Sequence, residues 1–349
     1  MAYTTIDKPT DYFNTKLYTG NGSTQSITGV GFQPDWVWCK SRSQADNHAI
    51  FDSVRGGQKQ LRSNTADAEL TRTNAISSFD SDGWSMGSQP EMNSNTITYA
   101  SWNWLAGGTA SSNTDGSITS SVSANTTAGF SIVSYTGNLT DGATVGHGLG
   151  VTPSCIIFRN RSDVQYWVVY HKDLGGANNH LRLDDTAAKR NDLNMFSSTA
   201  PTSSVFELGN KEQVNGNTND IIAYCFAEKK GYSKFGSFTG NQNTDGTFIY
   251  LGFKPAWIMF KESTGSATGD NWFMFDNKRS TFNQTQKFLK ANTTDAETDN
   301  SAGAIDMLSN GFKIRTSDTS LNDSGETYIY MAFAENPFVS SGGIPTTAR

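Results

Sequence analysis

The stretch Tyr18-Thr19-Gly20-Asn21, followed ten residues later by Gly31-Phe32-Gln33-Pro34-Asp35-Trp36-Val37-Trp38, is the signature from which the architecture follows. The first element returns at residues 135–138, and again at 238–241 with phenylalanine in place of tyrosine. The second element returns as Gly252-Phe253-Lys254-Pro255-Ala256-Trp257-Ile258-Met259. Self-similarity of this kind indicates tandem copies of one structural unit.

Further landmarks recur in the same order. The middle copy keeps the proline and the apolar run at Pro153 to Phe158, but it has no tryptophan there. The segment Ser63 to Glu69 resembles Ala291 to Glu297, with Asp185 to Lys189 at the corresponding place in the middle copy. Each copy closes on an aromatic segment: Tyr99 to Trp104, Ala223 to Ala227 and Tyr330 to Ala334.

The spacing of these landmarks predicts three tandem modules of about 100 residues each. We place the modules at residues 1–107, 108–230 and 231–338, with a C-terminal tail at 339–349. The second module opens with a Gly/Ser/Thr-rich lead-in at 108–128. This lead-in is either a flexible linker or, because apolar residues alternate through part of it, an edge strand.

The local patterns predict an all-β fold. Short aromatic segments bounded by turn residues, such as Trp36 to Lys40 and Trp257 to Lys261, are typical of strands. Asp-Gly and Asn-Gly pairs close hairpins at 79–84 and 307–312. We predict one β-sandwich per module, with a jelly-roll-like topology as the working hypothesis. The Asn-Thr-x-Asp-Ala-Glu element, as at 64–69, is predicted to start a short helix.

Five tryptophans recur at strand positions: Trp36, Trp38, Trp102, Trp104 and Trp257. Their recurrence favours core packing over a sugar-stacking platform. Alternation along a strand nevertheless predicts that a few face outward, because Trp36 and Trp38 point one way and Val37 the other.

Charge and composition exclude several classes of function. The net charge is −6, the pI is near 5.3, and only 17% of residues are charged. Without basic runs we expect no nucleic-acid binding and no attachment to an anionic membrane. The polar N-terminus predicts no secretory signal, and no apolar run is long enough for membrane insertion. We therefore expect a soluble protein made in the cytosol.

The cysteines and histidines predict no catalytic, metal or cofactor site. Cys39, Cys155 and Cys225 are far apart and align with aromatic positions or neighbour them, which predicts buried thiols and no disulfide. The four histidines, which lie mostly in the second module, are scattered and form no ligand motif: His48, His147, His171 and His180.

The acidic motifs are predicted to be structural. Asp67 with Glu69, and Asp295 with Glu297, resemble paired catalytic carboxylates, but they recur where a helix start is expected. The sequence from Asp80 to Gly83 resembles part of a calcium loop and lacks its remaining ligands, so we predict a turn.

Several longer motifs are similar to those of a family of virion proteins from tailed phages, common in marine and cyanobacterial phages. The resemblance extends from about Pro9 to Phe338 and rests on the following stretches: Asp11 to Gly22, Gly31 to Trp38, Phe51 to Gly56, Tyr224 to Glu228, Gly231 to Asn241 and Tyr330 to Phe338. It implies a non-catalytic component of a phage particle: a tail fibre, a tail-associated protein or a head decoration protein. It implies no catalytic residues.

The expected partners follow from this interpretation. They are other virion proteins and copies of the same chain, with a trimer expected by analogy if the protein is a fibre. The expected location is the virion, assembled in the host cytoplasm. The alternative is a carbohydrate-binding module that recognises a host-surface glycan, with ligand-binding residues unknown. If one module makes a separate contact, the second is the candidate, because it departs most from the other two.

Overall fold

The computed structural model describes residues 3–265, 270–300 and 304–346. The described chain is nearly all β, with several antiparallel sheets packed as sandwiches, and this confirms the predicted fold class. Three α-helices of four residues each interrupt the strands of the described chain.

The first repeat begins with a 3-10 turn at Pro9–Asp11 and ends with a seven-residue strand. Its elements are β1 (Phe13–Thr19), β2 (Gln25–Thr28), β3 (Trp36–Ser41), β4 (Ala49–Asp52), β5 (Lys59–Gln60), β6 (Leu70–Thr71), β7 (Ile76–Asp80), β8 (Gly83–Met86), α1 (Pro90–Asn93) and β9 (Thr98–Trp104). The main sheet has the order β1-β9-β3-β4 and packs against a second sheet, β2-β8-β7, while β5 and β6 pair separately.

The second repeat has the most extended sheet, with eight strands. Its elements are β10 (Ser111–Asn113), β11 (Ser120–Asn125), β12 (Phe130–Thr136), β13 (Ala143–Gly146), β14 (Cys155–Asn160), β15 (Val168–His171), a 3-10 turn (Lys172–Leu174), β16 (Asn179–Arg182), β17 (Arg190–Asn191), β18 (Val205–Leu208), α2 (Glu212–Asn215) and β19 (Asp220–Phe226). The main sheet runs β10-β11-β12-β19-β14-β15-β16-β17, and β13 pairs with β18. The lead-in at 108–128 therefore supplies edge strands, and the flexible-linker alternative is wrong.

The third repeat follows the same plan. Its elements are β20 (Ser233–Thr239), β21 (Phe248–Tyr250), β22 (Phe253–Glu262), β23 (Phe273–Asp276), β24 (Lys287–Lys290), β25 (Thr298–Asp299), β26 (Ile305–Leu308), β27 (Gly311–Ile314), α3 (Thr319–Asn322) and β28 (Thr327–Pro337). The main sheet is β20-β28-β22-β23-β24-β25, and the second sheet is β21-β27-β26. In every repeat the first long strand pairs with the last.

The recurring Tyr-Thr-Gly-Asn element joins the first strand to the short helix before the last strand. Its asparagine N–H donates to the side-chain oxygen of a buried asparagine that ends the helix, at 2.9 Å in each repeat: Asn21 to Asn93, Asn138 to Asn215 and Asn241 to Asn322. The preceding glycine lies so close to the chain after the helix that a β-carbon on Gly20 would stand 2.3 Å from the Ser94 carbonyl oxygen. The motif recurs because this contact requires both residues.

The predicted helix at Asn-Thr-x-Asp-Ala-Glu is wrong. Residues 65–69 have no regular secondary structure, and the helices lie instead before each last strand. The glutamates of this element, Glu69 and Glu297, form ion pairs between repeats rather than capping a helix.

Both faces of each main sheet are buried. One face packs on a peripheral core belonging to its own repeat, and the other packs on a single central core drawn from all three repeats. All six residues of β3, from Trp36 to Ser41, are consequently buried. The expectation that a few of the five recurring tryptophans face outward is therefore wrong, since each is at most 1% exposed.

The three repeats close into a ring. One backbone hydrogen bond occupies the same position at each boundary: Glu69 N to Arg161 O at 2.9 Å, Lys189 N to Ser263 O at 3.0 Å, and Glu297 N to Arg42 O at 2.8 Å. The first repeat thus bonds to the second, the second to the third, and the third back to the first. No sequence landmark predicts this closure.

Candidate functional site

A buried cation lies at each boundary between repeats. Lys40, Arg159 and Lys261 occupy equivalent positions near the end of the central strand of each main sheet, and each is at most 1% exposed. Each donates to a backbone carbonyl of the neighbouring repeat: Lys40 to Thr294, Arg159 to Asp67 and Lys261 to Thr186. Burial lowers the pKa of both lysines to about 8 and that of Arg159 to about 10.

A ring nitrogen makes a second contact at each boundary. The indole N–H groups of Trp167 and Trp272 each donate at 2.8 Å to a carbonyl of the preceding repeat, Arg62 O and Arg182 O respectively. His48 takes this role at the third boundary, where its Nε2 lies 3.0 Å from Lys290 O. Because a carbonyl only accepts, this His48 nitrogen carries the proton.

The two recurring glutamates are ion-pair partners across boundaries. Glu69 accepts from Arg161 of the second repeat at 2.8 and 3.0 Å, and Glu297 accepts from Arg42 of the first repeat at 2.9 Å. Each also pairs with a fully buried arginine of its own repeat, Arg55 in the case of Glu69. The glutamate of each pair that resembles catalytic carboxylates therefore stabilises the ring. Asp67 and Asp295 lie near the surface and pair with neighbouring cations.

A buried aspartate–arginine pair supports two of the three boundaries. Asp52 and Arg55 are 2.5 Å apart, and Asp52 also accepts a hydrogen bond from the Tyr224 hydroxyl at 2.7 Å. Asp276, Arg279 and Trp102 repeat this arrangement between the third and first repeats. At the remaining boundary the equivalent residues are His171, Leu174 and Met331, and His171 Nε2 lies 3.1 Å from Tyr330 O. The boundary that lacks the aspartate–arginine ion pair therefore also lacks the tyrosine or tryptophan that donates a hydrogen bond to the aspartate.

Three histidines are held neutral by their hydrogen bonds. In His48, His147 and His171 the Nδ1 atom accepts an N–H, while Nε2 faces a carbonyl oxygen. Burial lowers the pKa of all three, to about 4 for His171. Burial also lowers the pKa of His180 to about 4. None of the four is available as a general base at the surface.

These histidines predict acid lability. Their folded-state pKa values lie below the ordinary value near 6.5, so the unfolded chain binds more protons as the pH falls below 6.5. We expect the free energy of unfolding to drop by about 2 kcal/mol for each fully buried histidine between pH 6.5 and pH 5. Urea unfolding at several pH values measures this drop, and His171→Gln should make it smaller. A drop between pH 6.5 and pH 5 that is as large in His171→Gln as in the unchanged protein would contradict the assignment.

The remaining candidates from the sequence are structural. Cys39, Cys155 and Cys225 are free and buried, as predicted, and burial raises the pKa of each thiol, to about 12 for Cys39. Asp82 stands at a hairpin tip, where it accepts the backbone N–H groups of Gly29 and Gly31 at 2.9 and 2.7 Å. Within residues 3–265, 270–300 and 304–346, no group of three histidine, cysteine or acidic side chains is arranged to hold a metal ion.

A polar groove of about 470 Å³ lies in the third repeat. It is lined by Lys254, Asn277, Ser280, Thr281, Phe282, Asn283, Thr285, Met307, Leu308, Ser309, Glu335, Asn336 and Thr346. Its only charged lining residues are Lys254 and Glu335, which pair with each other at 2.7 Å. Phe282, on the rim, is 80% exposed. The groove lies in the third repeat, and whether the second repeat makes a separate contact stays a prediction.

Two oxygen atoms at this groove are buried without a hydrogen-bond partner among the described residues, Asn277 Oδ1 and Thr285 Oγ1. The first repeat shows how the same region is filled elsewhere. There Asp35 accepts from the Ser53 hydroxyl at 2.8 Å and from the backbone N–H of Ala106 at 2.8 Å. In the third repeat Ala256 stands at the position of this aspartate.

Comparison with known families gives one match. A family model described as a domain of unknown function, DUF7483, matches residues 8–337. The chain belongs to this family. The DUF7483 match runs from just before β1 to the end of β28, so one family unit spans all three repeats. Searches of curated proteins and of solved structures found no match. In the described part of this DUF7483 chain, none of the helices has the length and apolar character needed to cross a membrane.

Proposed function

We propose that the protein is a non-catalytic structural component of a tailed-phage particle, as a tail fibre, a tail-associated protein or a capsid decoration protein. The observation that carries the proposal is how the ionisable side chains are used. Glu69, Glu297, His48 and His171 all bond across repeat boundaries, so the residues most suited to chemistry hold the ring together. The resemblance to phage virion proteins supports the same role.

The proposed partners are other virion proteins and further copies of the chain, in the virion assembled in the host cytoplasm. Because the inner faces of the three repeats are already buried against one another, contacts between copies use the outer surface. A trimer is the proposed state if the protein forms a fibre. Native mass measurement, with heated and unheated SDS gels, tests this state, and a monomer in both would count against a fibre.

The decisive experiment for the structural role is a cryo-EM map of the intact particle, supported by mass spectrometry of purified particles. We expect the ring of three β-repeats to fit density on the tail or the head. Absence of the chain from particles purified to constant composition would refute the structural role.

A second proposed function is recognition of a host-surface glycan. The specific observation in its favour is the groove of the third repeat, which combines amides, hydroxyls and an exposed aromatic ring on one face. Incorporation into particles and binding of a glycan are measured independently, so the two functions are tested separately.

A further inference from the structure

We propose that the groove of the third repeat binds a neutral saccharide, with Phe282 as the stacking surface and Asn277 as a polar contact. This inference rests on the second proposed function and names its site and its ligand class. The groove volume, about 470 Å³, falls within the range of ordinary small-ligand sites.

The lining chemistry selects for a polyhydroxylated ligand. A ligand with many hydroxyl groups can exchange hydrogen bonds with the amides and hydroxyls that line the groove. Asn277, which is only partly buried, lines the groove with its amide. The hydroxyls of Thr281 and Ser309 and the amide of Asn336 add polar groups along the same groove.

The charge of the groove excludes an acidic ligand as the preferred occupant. Lys254 is neutralised by Glu335 at 2.7 Å, and the other lining residues are uncharged. An anionic sugar would have to break this pair or meet the carboxylate. A neutral sugar neither breaks this ion pair nor is repelled by the carboxylate.

The exposed ring supplies the apolar half of the site. Phe282 is 80% exposed, which is unusual for a large aromatic side chain in a protein whose tryptophans are buried. The apolar face of a pyranose ring can cover it, as aromatic anchors are covered in other binding sites. Asn283 beside it is held by two hydrogen bonds of 2.9 Å to the backbone of Met307, which fixes the rim.

The test uses the full chain and defined probes: hexasaccharides of glucose, mannose and N-acetylglucosamine as neutral ligands, and hexagalacturonate as the acidic one. Binding is measured by titration calorimetry at millimolar concentration. We expect at least one neutral probe to bind and Phe282→Ala to weaken it about tenfold. The matched control is Phe248→Ala, because Phe248 is 43% exposed in the same repeat and does not line the groove.

A second variant tests the polar contact. Asn277→Ala removes an amide that lines the groove, and we expect it to weaken binding of the neutral probe. Three results would overturn the proposal: no binding of any neutral probe, stronger binding of hexagalacturonate, or unchanged binding by Phe282→Ala. Each leaves the structural role untouched, since incorporation into particles is measured independently.

Discussion

Replacement of Phe333 by alanine is expected to lower the free energy of unfolding by about 3–5 kcal/mol, the usual cost of deleting a buried aromatic ring. Phe333 is 1% exposed and lies where the three repeats meet. Its ring is 5.3 Å from Phe13 of the first repeat and 5.9 Å from Phe226 of the second, between ring centroids. It also lies 6.0 Å from Trp257 of its own repeat.

We expect Phe333→Ala to shift the whole unfolding transition to lower urea concentration. If the central core is shared, all probes of unfolding should move together, including tryptophan fluorescence from the first repeat. Urea unfolding followed by fluorescence and by circular dichroism measures this. Phe282→Ala is the matched control, because the same truncation at an exposed ring should change stability little. A loss confined to the third repeat would contradict a shared core.

Replacement of Arg55 by leucine is the second change with a large expected effect. Arg55 is fully buried and pairs with Asp52 at 2.5 Å and with Glu69 at 3.0 Å. Removing it leaves the Asp52 carboxylate buried without its cation. We expect a loss of about 3–5 kcal/mol in the free energy of unfolding, which urea titration at pH 7 measures.

One boundary of the same chain lacks the charged pair, and its residues suggest substitutions that should restore the stability lost in Arg55→Leu. The boundary between the second and third repeats has His171, Leu174 and Met331 where the first boundary has Asp52, Arg55 and Tyr224. Combining Asp52→His and Tyr224→Met with Arg55→Leu should therefore recover much of the loss, because no buried charge remains unpaired.

A surface change serves as the control for this set. Lys8→Leu removes the cation of an exposed pair with Asp11, and it is expected to change stability little. If Arg55→Leu costs no more than Lys8→Leu, the buried network does not stabilise the boundary.

Much of the fold was readable from local sequence. The Tyr-Thr-Gly-Asn element marked the start of each repeat because its glycine and asparagine are required by contacts within about 80 residues, such as Asn21 with Asn93. The Asp-Gly and Asn-Gly pairs located the hairpins, as turn chemistry is local. Recurrence at strand positions favoured core packing of the tryptophans, but it did not predict that all five are buried.

The closure of the three repeats into a ring could not be predicted from local sequence patterns. Its bonds join residues such as Arg42 and Glu297, which are separated by 255 positions, and no local pattern encodes such pairs. One signal was available: the runs from Trp36 to Cys39 and from Cys155 to Phe158 are continuously apolar rather than alternating. Such runs are typical of strands buried on both faces. Two buried faces require a second core, which here is the one between repeats.

The groove of the third repeat could not be predicted from the sequence for a related reason. Its walls come from separate segments, near residues 277–285, 307–309 and 335–336, which only the folded chain brings together.

Differential scanning calorimetry of the full chain tests most directly whether the three repeats form one closed unit. If they do, we expect a single reversible transition with a ratio of calorimetric to van't Hoff enthalpy of about one. Three resolved transitions, or a ratio of about three, would show that the repeats unfold independently and would contradict the shared central core.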